Sequence, residues 1–474
     1  GTKEPYVSPN VIISIDDSGS MNFRLDSEST SGASNQTTPN SDGTWPMSSR
    51  RVNVLKYALI GNNGSGGIFR DTTLLPDKKI RLAWQAMWNN GRSSDAGNVD
   101  SGSGRSAVQM NTNSMRPLQG SHRTNFISFI NNLSPSNGTP SHLMFSQADS
   151  YMRRAVSKDG PWASDPGNTG APYLACRRNY HIMMTDGRWN GTATNVPNTN
   201  WRDNATNLKF SDNMVYGGST ADQKKSALYR DESKGTTLAD WAFYSWANPL
   251  QTSGLTGTMQ PTADYRKASS TETFTNASGT SATLDRYWNP RYNPATWPHM
   301  VTYTIGFSKM AFEWSYSSIT RPTQMVPFGY DGSFPGLANG TIGWPDLTAN
   351  TESRNALDLW HAALNGRGRF YAVEKGEDLE KAFREIFGQI NTQTEPDLTS
   401  TATSGSNASR NDVGKFTGAY EPQNAWKGFV TAETVQKDGT TISAPGWGGK
   451  NSADKLDALT SVASRLILSW SDKW

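Results

Sequence analysis

Asp16, Ser18 and Ser20 place one carboxylate and two hydroxyls at alternate positions of a single short segment, with Gly19 between the serines. Side chains so spaced on a tight loop can point at one centre, and glycine permits the turn. Oxygen donors of this kind suit a hard divalent cation. Mg²⁺ takes oxygen ligands at about 2.0–2.1 Å in near-octahedral array and keeps several waters. Two further donors stand elsewhere in the chain: Thr139 offers a third hydroxyl and Asp186 a second carboxylate. Two carboxylates offset the charge of one divalent ion, and neutral hydroxyls leave it electrophilic, so a carboxylate from a partner can replace a water at an open position. Mg²⁺ is the first choice, with Ca²⁺ or Mn²⁺ as alternatives, because an oxygen-only set does not separate them. Asp17 reads as a hydrogen-bond acceptor directed away from that centre.

Hydrolytic chemistry at such a metal would need a general base. No His, Glu or Lys is placed by motif for that work, and His122, His142, His181, His299 and His361 are scattered. They read as packed or surface histidines, and the chain as no enzyme. Cys176, the single cysteine, rules out an intrachain disulfide and reads as a small buried side chain.

The donors fall at the ends of regular elements. Val11-Ile12-Ile13-Ser14-Ile15-Asp16 is a short β-branched run suited to a strand buried on both faces, and Asp16 closes it. In open α/β sheets the carboxyl end of the strands is where ligands bind. Val52, Leu55 and Leu59 recur at helical spacing, and Ile80, Leu82, Trp84 and Ala86 alternate at strand spacing. Phe126, Phe129, Ile130 and Leu133 make one helical stripe. Met144, Ala148, Tyr151, Met152 and Ala155 make another, opened by Thr139 as cap and Pro140 in the first turn. A second buried strand runs from Tyr180 to Thr185 and ends in Asp186-Gly187. Thr237 with Asp240 opens a further helix in the manner of a capping box. Met300–Phe307 and Phe370–Val373 read as strands and Ala356–Leu364 as a helix. The clearest helix carries Leu379, Ala382, Phe383, Ile386 and Ile390 on one face.

Strands alternating with helices imply a doubly wound α/β fold, a mostly parallel sheet with helices on both faces. Segments near 23–50, 190–236 and 250–298 are too long for βα loops of roughly 2–6 residues and read as insertions. Those at 23–50 and 190–236 leave from the metal loops, and are expected to wall the cation and select its partner. The aromatic pairs Tyr287-Trp288, Trp314 with Tyr316 and Phe328 with Tyr330 read as insertion core. Residues 1–395 thus form one domain. From 396 to 474 the texture becomes Thr/Ser/Asn-rich, with strand-like Phe416–Tyr420 and Gly428–Val435 and an Asp438-Gly439 hairpin signal, giving a small β-rich module.

Bulk composition narrows the partners. Only 35% of residues are hydrophobic, yet 17 Trp, 16 Tyr and 17 Phe supply large side chains for a core. With 45 basic against 42 acidic residues and no long basic run, nucleic acid is not indicated. No run of apolar residues is long enough to span a membrane. Gly1 is not preceded by a signal peptide, and the chain stops soon after Leu466-Ile467-Leu468, so both ends read as cut.

Together, Asp16-x-Ser18-x-Ser20, Gly138-Thr139-Pro140 and Thr185-Asp186-Gly187 resemble the metal-ion-dependent adhesion site of von Willebrand factor A domains across roughly residues 8–395. The resemblance implies that Asp16, Ser18, Ser20, Thr139 and Asp186 hold the cation directly or through water. Tyr420-Glu421-Pro422-Gln423-Asn424-Ala425-Trp426-Lys427-Gly428, leading into a strand and hairpin, is similar to the PilC/PilY family of type IV pilus tip-associated adhesins. That family joins an amino-terminal A domain through such a connector to a carboxyl-terminal β-propeller, which this sequence lacks together with its Asp-rich calcium loop. The resemblance implies export to the pilus tip, cell surface or outer membrane. It implies adhesion to a host or abiotic surface, or control of pilus biogenesis and retraction. The alternative is a structural docking module for minor pilins with a merely stabilising metal.

Overall fold

In the computed structural model, residues 6–90, 115–187, 189–190, 193–231, 236–347, 352–395, 399–404, 413–421, 427–435 and 441–461 are described. The chain divides into two compact units, one spanning Val7–Gln393 and the other built mainly from Thr394–Trp474.

The larger unit is a mixed α/β structure around a six-stranded sheet. Its strands are β1 (Asn10–Ile15), β2 (Arg81–Ala86), β3 (Arg116–Pro117), β4 (Asn179–Thr185), β5 (Met300–Phe307) and β6 (Arg367–Val373). The order is β6-β5-β4-β1-β2-β3, parallel throughout except for the short antiparallel edge strand β3. Every residue of β1 is buried. Val11, Ile13 and Ile15 enter one core, lined by α1 (Arg51–Ile60), α2 (Gly120–Asn131) and α6 (Gly376–Thr394). Ile12 enters the other, lined by α3 (Ser141–Met152), α4 (Leu238–Ala247) and α5 (Glu352–Asn365). Alternate side chains therefore reach opposite layers, and helices cover both faces. Polar strand residues on the α3 side bond one another: Ser14 Oγ lies 2.7 Å from His181 Nε2 and accepts from Gln85 Nε2 at 2.8 Å.

The insertions are more ordered than their polar composition implies. Residues 250–298 contain a hairpin of Thr271–Thr275 against Ser281–Asp285, which buries Phe274, Ala282 and Leu284 while its threonines face outward. Tyr287, Trp288, Trp314 and Phe328 are buried, as expected of core aromatics. Residues 193–231 do not rise as a whole around the sheet edge that carries Asp16 and Asp186. They fold back along α4, where Phe210 packs against Phe243, Trp246, Trp288 and Trp297. Cys176 corrects the sequence reading, since it is exposed; it lies in a turn just ahead of β4 that no apolar pattern covers. No described helix is long and apolar enough to cross a membrane.

The smaller unit holds an antiparallel sheet of Thr399–Ser404, Val413–Glu421, Lys427–Val435 and Thr441–Ser443 in sequential order. Val435 pairs with Thr441, so the two strands join as a hairpin, although Asp438-Gly439 lies outside the described residues, as does 422–426 of the aromatic signature. Among its described side chains Phe416, Val430, Ile442, Leu456 and Leu459 are exposed and only Ala432 is a buried apolar residue. So little burial among the described side chains leads us to expect low local stability for this unit. Limited proteolysis is expected to consume it first and leave a fragment ending near Gln393, identifiable by mass spectrometry. A resistant fragment covering 396–461 would contradict this.

Candidate metal centre

Strand register brings the two carboxylates together. Ile15 pairs with Met184, and Asp16 N donates to Met184 O at 3.0 Å, so Asp16 and Asp186 leave adjacent strands side by side. Beyond Asp16 the chain turns sharply: Ser18 N donates to Asp16 Oδ1 at 2.8 Å, and a short 3₁₀ turn, Gly19–Asn22, is pinned by buried Met21. The turn places Ser18 Oγ 3.1 Å from Ser20 Oγ, and Ser20 Oγ bonds Asp186 Oδ2. Four of the five expected ligands are thus linked directly.

Thr139 arrives by a different route. Gly19 N donates to Asn137 O and Ser136 N donates to Asp17 O, both at 2.9 Å, so the 136–139 loop is laced against the first loop by its backbone. Asn190, just beyond Asp186, accepts from Thr139 N through Oδ1 at 2.8 Å and donates to Thr139 O at 3.0 Å. Thr139 does not cap α3, contrary to the sequence reading. The helix starts at Ser141 with Pro140 at the cap position and no side-chain cap bond. Among the described residues nothing bonds the Thr139 hydroxyl, although the residue as a whole is only 3% exposed. Asp17 does turn away, accepting from Trp88 N at 2.9 Å and Asn89 N at 2.8 Å. Burial lifts its carboxyl to about 6.

Electrostatically the site crowds two buried carboxylates. Asp16 is pushed up to about 7, first by burial and then by Asp186, despite hydrogen bonds that favour the ionised form. Its Oδ2 accepts from Thr185 Oγ1 at 2.9 Å and Asp186 N at 3.2 Å. The one cationic side chain bonded to either carboxylate among the described residues is Arg51, at the first position of α1. Its side chain is 1% exposed, and Nη1 donates to Asp186 Oδ2 at 3.0 Å. It also donates to Arg24 O at 3.0 Å, Ser27 O at 3.3 Å and Glu28 Oε1 at 2.5 Å, drawing the start of the 23–50 insertion onto the site. Sequence reasoning missed Arg51 and Glu28; neither belongs to a spaced motif.

Crowded carboxylate and hydroxyl oxygens, a carboxyl raised by its neighbour and an unclaimed threonine hydroxyl fit an oxygen-seeking divalent cation. Among the described residues no group of three or more His, Cys, Asp or Glu side chains could hold a metal, so the hydroxyls are indispensable to such a site. The five histidines are buried. Burial lowers His142 to about 4 and His181 to about 3, which keeps both neutral.

Gly187 turns the chain away from Asp186 with φ +87°, and a Cβ there would stand 2.8 Å from Ala311 Cβ. Gly187→Ala is therefore expected to cost about 1–3 kcal/mol, readable as a lowered denaturation midpoint. A change within error would mean the turn is not constrained.

No family model matches the chain. It is 31% identical over 391 residues, 81% of its length, to "Type IV pilus biogenesis factor PilY1" of Pseudomonas aeruginosa PAO1. It is 27% identical over 373 residues to the protein so named from strain UCBPP-PA14. These matches cover 30% and 28% of the two relatives, so the chain spans less than a third of the length of these curated relatives. Against the solved pilus adhesin SpaC of Lactobacillus rhamnosus GG the TM-score is 0.33 at 10% identity, over 92% of this chain and 37% of that one, too low to support any argument.

Proposed function

This chain belongs to the PilY1 family of type IV pilus biogenesis factors, and from that premise we propose that its larger unit is a von Willebrand factor A-type, metal-dependent protein-binding domain. Asp16, Ser18, Ser20, Thr139 and Asp186 would hold the cation. The observation that carries the reading is the convergence of Asp16, Ser18, Ser20 and Asp186 at the carboxyl edge of a parallel sheet, with the Thr139 hydroxyl unclaimed beside them. When bound, a divalent ion supplies an electrophilic position that an acidic side chain of a partner can fill. The chain's own residues do the rest. Asp16 and Asp186 provide the counter-charge, the hydroxyls donate without cancelling it, and Asp17 fastens the loop to Trp88 and Asn89. The setting is the pilus tip of an exporting cell, with minor pilins and a host or abiotic surface ligand as partners and no catalysis required.

One observation favours a second reading, a docking module whose metal only stabilises: Asp16, Ser18, Thr139 and Asp186 are all buried. Thr139→Ala separates the two. Adhesive capture predicts that purified minor pilins or surface ligands bind the wild type in Mg²⁺ and not in chelator. It also predicts that Thr139→Ala loses the partner while magnesium still registers in calorimetry. Partner binding indifferent to both chelator and substitution would sink the adhesive reading.

A further inference from the structure

Away from the metal loops, the 23–50 insertion closes over α1 and the first turn of α6, leaving a cavity of about 170 Å³. We propose that this cavity is a binding site for an alkylammonium group, walled by Trp45 and Tyr57 and charged by Glu377 and Glu380. The proposal does not depend on the metal reading.

The pocket is assembled from fixed parts. Trp45 is buried with its ring against Gly376, where a Cβ would stand 2.6 Å from both ring atoms Cγ and Cδ1, so only glycine at the head of α6 lets the indole settle. Trp45 N donates to Glu377 Oε2 at 3.2 Å, which orients that carboxylate and leaves Oε1 without a described partner. Tyr57 meets Trp45 at 5.6 Å between centroids and 73° between planes, giving two aromatic walls nearly at right angles. Glu380 lies one turn beyond Glu377 on the same helix face. Its Oε1 is held by Arg384 Nε at 3.2 Å and Nη2 at 2.9 Å, while Arg384 Nη1 reaches Asp71 Oδ2 at 2.6 Å.

The charges decide the ligand class. No basic side chain lines the cavity, and its two ionisable acids are both carboxylates. Arg384 is shared between Glu380 and Asp71, so its one charge is divided between two carboxylates, and no described ion pair offsets Glu377. The positive end of α6 absorbs part of the Glu377 charge, but Glu380 stands a turn further in. A metal ion is a poor match for a site half aromatic and aliphatic. A neutral apolar group would leave Glu377 Oε1 unanswered. An ammonium carried on carbon satisfies both, its charge facing the rings and the carboxylates together, as in aromatic cages.

Two sources offer this group, a lysine side chain and a methylated amine of the choline type. Saturation-transfer NMR on the whole chain in chelator, with choline, Nα-acetyl-lysine amide and 3,3-dimethylbutanol as the uncharged isostere of choline, tests the site and identifies the source. At least one ammonium probe should bind saturably, the tighter one naming the source, and the isostere should not. Glu377→Gln keeps an acceptor for Trp45 N, and Tyr57→Leu removes one wall; each should weaken the ammonium roughly threefold to tenfold. Thermal melts confirm that both variants fold. Binding of the isostere as tight as choline, affinities unmoved in both folded variants, or no saturable binding of either ammonium would overturn the proposal. Because chelator is present throughout, these results do not bear on the metal site.

Discussion

Asp16→Ala is expected to abolish Mg²⁺ binding while leaving the sheet folded. Asp16 stands at the rim of the parallel sheet, one residue past β1, and its carboxylate accepts hydrogen bonds from polar groups, Ser18 N, Thr185 Oγ1 and Asp186 N. Its removal takes away one of two carboxylates and leaves a set too weakly charged for a hard divalent ion. Calorimetric titration reads this directly: heats for wild type and none for the variant, with equal heats meaning that the cation sits elsewhere. The same loss appears in stability. An ion that binds only the folded chain adds about 2.7 kcal/mol at a hundredfold excess over its Kd, and the variant should show none of that increment.

Proton linkage supplies an independent reading of Asp16. Its folded-state carboxyl is raised from the ordinary 3.8 to about 7, so between those values the metal-free folded state holds a proton that the unfolded chain has released. The contribution is fully present below the ordinary value and is lost as pH rises through about 7. Chelated wild type should therefore lose stability across that window relative to Asp16→Ala. The difference is the proper measure, because Asp358, raised to about 8 by burial, adds a slope of the same sign to both proteins. Magnesium affinity runs the opposite way, increasing towards pH 7 as the ligand ionises. Melting curves in chelator at several pH values check the first statement. A difference that does not change with pH would mean Asp16 titrates normally.

What the sequence made legible follows from which forces act locally. β1, β4 and β5 could be placed because burial on both faces demands largely apolar runs, and α4 because Thr237 and Asp240 do form the reciprocal capping bonds expected of them. The meeting of Asp16 with Asp186 was legible since both follow directly on those strands. What escaped was long-range or masked by composition. The hairpin within 250–298 buries only alternate small or single large residues, so its segments look like loop. Thr139 in front of Pro140 looked like a cap, yet α3 begins after the proline, and that shift frees the hydroxyl. Arg51 gave no signal at all. Its partners Asp186 and Glu28 lie 135 and 23 residues away, distances that no periodicity links.

That arginine makes the other large effect. Arg51→Met is expected to destabilise the chelated protein by about 3–5 kcal/mol, because it breaks a buried ion pair with Asp186. The carbonyls of Arg24 and Ser27 and the Glu28 carboxylate lose their donor as well, so the 23–50 insertion loosens with the site. Arg51→Lys should recover little, since a single ammonium cannot reproduce a guanidinium shared among separate acceptors. Magnesium should reverse much of the deficit. In the wild type the guanidinium and a bound ion would both draw on Asp186, whose Oδ2 already accepts from Arg51. Removing Arg51 takes away a cation that competes with the ion for that carboxylate, so magnesium should bind the variant more tightly and raise its melting temperature by more than it raises the wild type's. Paired thermal melts in chelator and in Mg²⁺ measure both quantities. An unchanged chelated melt would mean the buried pair contributes nothing, and equal magnesium increments in the two proteins would mean that Arg51 and the cation do not share Asp186.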